Sequence, residues 1–138
     1  MLKKVSISHK VDKHLKKEFR NYISGLEENY SFPLDLEIYV NEDDHIVNSV
    51  TGERALATCF CPFDKTDTGI IKVSTGDFKT MLKRNSTRDS ILGTVNTLSH
   101  ELQHYYQWVD DLEFEEEQAD DGAASLTWEY IESKDENS

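Results

Sequence analysis

Apolar residues recur at helical spacing near the start of the chain, as Val11, Leu15, Phe19, Tyr22, Ile23 and Leu26. The pattern predicts a helix over residues 9–27, closed by Gly25 and the polar stretch that follows. The period then changes. Leu34, Leu36, Ile38 and Val40 alternate with Asp35, Glu37 and Tyr39, which is the signature of a half-buried strand. Residues 41–50 are polar enough for a loop, residues 55–60 read as a second strand, and Pro62 restricts its end to an edge or a turn. After a turn over 64–69, Ile70, Ile71 and Val73 form another short strand, followed by a short helix over 78–84.

The most regular pattern comes next. Ser86 and Asp89 have the spacing of a capping box, and Ile91, Val95, Leu98, Leu102, Tyr105 and Val109 follow as a single apolar stripe. That predicts a long core helix. The stripe resumes as Leu112, Ala119, Ala123, Leu126 and Tyr130 in a last helix, with Gly122 a mild weakness inside it. The expected class is α+β: an N-terminal helix, a small mixed β-sheet, then two long helices. No repeat or linker divides the chain, so residues 1–138 are expected to form a single domain with 132–138 as a frayed tail.

Composition narrows the setting. With 138 residues, 37% hydrophobic and 30% charged, the chain can bury one core and is not a disordered polymer. Neither a run of about 18 apolar residues nor a signal-peptide pattern is present, so no membrane span and a cytoplasmic location are expected. Cys59 and Cys61 are too close in sequence to close a useful loop, which fits a reducing compartment. The simplest reading gives one buried and one exposed thiol on a strand. A net charge of −12 repels phosphate and disfavours nucleic acid as a partner, although residues 1–20 are locally basic. From Asp110 onward the chain is strongly acidic.

Chemistry concentrates in the last two helices. His100-Glu101-Leu102-Gln103-His104 is an HExxH sequence inside the best-defined helix. Residues four apart share a helix face, so both imidazoles can reach one ion while Glu101 is turned toward the open coordination position. Glu116 lies on the stripe extrapolated from Leu112, Ala119 and Ala123, and is expected to point inward, where a zinc ion held by His100 and His104 would compensate its charge. Asp120, one turn on, can accept from the free ring nitrogen of a ligating histidine. Glu113, Glu115 or Glu117 would replace Glu116 after a register change, and Glu117 would then bring Asp121 with it. Tyr105 and Trp108 read as core, and His9, His14 and His45 as surface residues.

The HExxH sequence followed by Glu116, Ala119 and Asp120 resembles the gluzincin group of zinc metallopeptidases, including minigluzincins and the cores of ImmA-type and SprT-like proteases. The resemblance covers residues 86 to about 130 and implies a zincin-like fold. It also implies His100, His104 and Glu116 as zinc ligands, Glu101 as general base and Asp120 as support for a ligand. SprT-like proteins finish the site with histidine, whereas no histidine follows His104. The implied activity is hydrolysis of a peptide or protein substrate by a zinc-activated water, with residues 55–60 as an edge strand for an extended peptide. Tyr130 lies roughly 21 Å along the helix from Glu116, too far to stabilise an oxyanion without a bend. The alternative on the same residues is a catalytically inactive binding or inhibitor protein that keeps the metal.

Overall fold

A computed structural model describes residues 1–47 and 52–136, with side chains described through Ser133. In chain order the elements are β1 (Leu2–Ile7), α1 (Lys13–Asn29), β2 (Leu36–Asn41), β3 (Ile46–Val47), β4 (Arg54–Ala55), β5 (Ala57–Phe60) and β6 (Gly69–Ser74). Three helices complete the described chain: α2 (Phe78–Arg84), α3 (Thr87–Val109) and α4 (Glu116–Glu136). Four strands form a mixed sheet in the order β1-β2-β6-β5, parallel across β1, β2 and β6 and antiparallel at β5. Strands β3 and β4 pair separately. The class is therefore mixed α+β, as the periodicities predict.

The period of two along β2 puts Leu36, Ile38 and Val40 on one buried face, and the in-register partners Ile71 and Val73 of β6 extend that face. Leu15, Phe19 and Ile23 of α1 join the same core with Val95, Leu98, Leu102 and Tyr105 of α3. Burying each large aliphatic side chain contributes about 1.5–3 kcal/mol. Tyr105 and Trp108 belong to this core. The Tyr105 hydroxyl donates to the Leu34 carbonyl at 2.6 Å, and Trp108 Nε1 donates to the Pro62 carbonyl at 2.9 Å.

Helix α3 starts where expected, with Ser86 Oγ accepting from the Asp89 amide at 3.1 Å. Helix α4 packs closely on it. Ala119 and Ala123 are fully buried, and a Cβ at Gly122 would stand 2.2 Å from Gln103 Oε1. The glycine that weakens the helix in isolation leaves room beside α4 for the Gln103 side chain of α3.

Several expected boundaries move. Helix α1 begins at Lys13 rather than residue 9, because Asp12 caps it by accepting from the amides of His14 and Leu15 at 2.9 and 3.2 Å. Strand β1 was hidden from periodicity by adjacent Lys3 and Lys4, and its pairing with β2 supplies the order that the local sequence lacks. The expected strand at 55–60 divides at Leu56, with Ala55 pairing to β3 and residues 57–60 pairing to β6. Two residues of the expected loop, Ile46 and Val47, form β3, while 48–50 lie outside the described residues. Helix α4 runs through Glu136, and 137–138 lie outside the described residues.

The start of α4 bears most on the site. Leu112 is 52% exposed and precedes the helix, so it does not share a stripe with Ala119. The connection turns at Asp111, whose φ is 59°, and Lys65 fastens it through an ion pair to Asp111 and a 3.3 Å bond to the Val109 carbonyl.

Candidate metal centre

His100 and His104 stand one turn apart on α3, with ring centroids 4.9 Å apart and planes at 82°. Their Nε2 atoms meet the two oxygens of one carboxylate: His100 Nε2 lies 2.8 Å from Glu116 Oε2 and His104 Nε2 lies 3.0 Å from Glu116 Oε1. Ligand atoms from the three residues all fall within 4.8 Å of one another. Among the described residues, this is the one group of at least three histidine, cysteine, aspartate or glutamate side chains that could hold a metal ion.

The outer nitrogens are also engaged. His100 Nδ1 is 2.7 Å from Asp120 Oδ1, and His104 Nδ1 is 2.8 Å from Gln107 Oε1. Each histidine thus has an oxygen acceptor behind it, which favours a proton on Nδ1 once a cation between the rings and Glu116 takes the Nε2 lone pairs. Two imidazole nitrogens and a carboxylate in this arrangement fit a divalent cation of borderline softness.

Glu116 does not point inward as the stripe suggested. Its side chain is 74% exposed, because it is the first residue of α4 and stands at the open end of the face that buries Ala119 and Ala123. It reaches the histidines from the rim. Glu115 serves as the cap of α4, its two oxygens accepting from the amides of Glu117 and Gln118 at 3.0 and 2.8 Å. That role takes Glu115 away from the histidines, and Glu117 and Glu113 lie on the exposed surface outside the cluster. Asp120 is 70% exposed and touches His100, the contact expected of it.

Glu101 shares the turn that carries both histidines but is 8% exposed. Burial pushes its carboxyl up to about 7, with His104 pulling it down and Glu116 pushing it further up. A carboxyl poised near neutrality, within the field of His104 and Glu116, has the character of a proton acceptor.

Cys59 and Cys61 are both half-buried, in contrast to the expected one-in, one-out arrangement, and their sulfurs are 3.1 Å apart. Cys59 shares the buried face of the sheet with Ile71, its register partner. The hydrogen bond to Cys61, then burial, hold the Cys59 thiol well above the ordinary thiol range, and Glu101 adds to the effect.

Sequence reasoning missed two members of the site. Gln107 carried a signal in its i+3 spacing from His104, which places it on the same face. Phe114 carried none: it stacks on the His104 ring with centroids 4.6 Å apart, from a loop whose path depends on the Asp111 turn.

Comparison of the chain with known protein families, curated proteins and solved structures found no match.

Proposed function

We propose that this protein is a zinc-dependent peptidase of the zincin type, with His100, His104 and Glu116 as zinc ligands and Glu101 as general base. The observation that carries this reading is the convergence of both Nε2 atoms on the two Glu116 oxygens, one turn of α3 from a buried carboxyl. Zinc held there would supply Lewis acidity, lowering the pKa of a water and polarising a scissile carbonyl. Glu101 takes the proton of the attacking water and returns it to the leaving amine. Asp120 and Gln107 hold the two imidazoles in the tautomer that ligation requires.

An extended peptide can lie along β5, which ends the four-stranded sheet. The Ser74 amide donates to the Leu56 carbonyl at 2.7 Å, so in the antiparallel register Thr58 and Phe60 turn their main chains to β6. Ala57 and Cys59 turn theirs to the free edge, where a peptide strand would pair.

A second reading, a metal-holding binding protein without turnover, draws on Tyr130. Its hydroxyl donates to Glu18 on α1 at 2.5 Å, which engages it away from the histidines. One experiment separates the two. Zinc-loaded protein incubated with a proteome-derived peptide mixture should create new termini that mass spectrometry detects, and Glu101→Gln should create none while retaining zinc. Identical peptide lists from both proteins would overturn the peptidase reading and leave the binding protein.

A further inference from the structure

Gln107 is 4% exposed, yet its amide spends both ends on polar partners. Nε2 donates to the Glu115 carbonyl at 3.1 Å and to Gln118 Oε1 at 2.8 Å. Those two acceptors fix which way the amide points. Oε1 must then face the other side, where it meets His104 Nδ1 at 2.8 Å and the Glu115 amide at 3.3 Å. An acceptor at that place draws the proton of a neutral His104 to Nδ1, while Glu116 Oε1, 3.0 Å from Nε2, competes for it until a cation takes the Nε2 lone pair. The same side chain therefore determines which ring nitrogen carries the lone pair and holds the residue immediately before Glu116 by both its backbone groups.

We propose that Gln107 is a positioning residue that sets the His104 tautomer and at the same time seats the first turn of α4, so that Glu116 meets the lone-pair nitrogen. The inference rests on the metal reading for its consequence and on the hydrogen bonds alone for its cause. Asp120 does a simpler job at His100, since it lies on α4 itself and touches only the ring. Gln107 works across the turn, linking a ligand on α3 to the cap of α4. Because it is nearly enclosed, loss of either set of bonds leaves polar groups without partners rather than returning them to water.

Two substitutions separate tautomer control from packing. Gln107→Leu keeps the approximate volume and removes every bond, whereas Gln107→Glu keeps an acceptor for His104 Nδ1–H and the Glu115 amide but removes the donors. The imidazole nitrogens are read by nitrogen NMR at a pH well above the ordinary imidazole range in a metal-free Glu116→Ala background, which removes the competing acceptor at Nε2, and zinc affinity is read by competition with a chelator in proteins that keep Glu116. With Glu116 removed, Gln107 should hold His104 in the Nδ1–H tautomer. Gln107→Leu should lose that preference and bind zinc about 10 to 100-fold more weakly. Gln107→Glu should keep the tautomer and recover most of the affinity, and it carries the test should the leucine variant not fold. A folded Gln107→Leu that keeps both the tautomer and the affinity would overturn the inference, as would a glutamate variant with no preference for the Nδ1–H form. Native protein that ignores zinc would overturn the metal reading and this inference together.

Discussion

At the residue scale, Glu101 and Glu116 show how differently two carboxylates can be placed around one candidate metal site. Glu101 is buried on α3 and Glu116 reaches in from an exposed rim. Removing His104 should abolish metal binding and lower stability through loss of its buried ring, its stacking on Phe114 and its bond to Gln107, rather than through Glu116, which is left in water. Thermal denaturation of metal-free His104→Ala against the native protein checks this. Glu101 should behave in the opposite way. Its carboxyl is raised to about 7 in the fold, so the folded state holds a proton that the unfolded state has already released between the ordinary glutamate range and neutrality. Stability of the metal-free protein should fall as pH rises through that window. Glu101→Gln should remove this loss, making the metal-free variant more stable than the native protein above pH 7 by up to about 3 kcal/mol. Urea denaturation at several pH values measures the difference, and equal pH profiles would contradict the placement of Glu101.

At the scale of elements, the site depends on where α4 begins. Glu115→Ala removes the side chain that accepts from the amides of Glu117 and Gln118, and should cost about 1 kcal/mol while weakening zinc binding through Glu116 next door. Hydrogen exchange of those two amides reports the first part directly. Helix α3 was legible in the sequence because its stripe, its Ser86 cap and its HExxH spacing are all local and agree. The phase of α4 was legible from Ala119, Ala123 and Leu126, but its start was not. A stripe drawn through Leu112 assumed continuous helix across 112–115, whereas Asp111 reverses the chain and Phe114 is drawn to the His104 ring. The proximity of Glu116 to the histidines was anticipated from the face it shares with Ala119 and Ala123, whereas its exposure at the start of the helix was not. Strand β1 was missed because it is specified by its partner across the sheet rather than by its own pattern.

For the whole molecule, the core places the site through α3, which contacts the sheet, α1, α2 and α4. The residue before the first histidine is tied into this frame: Ser99 Oγ meets the Tyr22 hydroxyl at 2.5 Å and Thr127 Oγ1 at 3.0 Å, joining α1, α3 and α4 within the core. Tyr22→Phe should cost about 1 kcal/mol in urea denaturation and leave zinc affinity nearly unchanged, because Ser99 keeps its bond to Thr127. A loss of affinity with that substitution would show that the frame and the ligands are more tightly coupled than the geometry indicates. No helix among the described residues is long and apolar enough to cross a membrane. The central claim is that one zinc ion is held by His100, His104 and Glu116. Its most direct test is chelator-competition titration of the metal-free native protein alongside Glu116→Gln and Glu117→Gln. One zinc per chain should bind to the native protein, with affinity sharply reduced by Glu116→Gln and little changed by Glu117→Gln. A folded native protein that takes up no zinc, or a Glu117→Gln variant more damaged than Glu116→Gln, would contradict it.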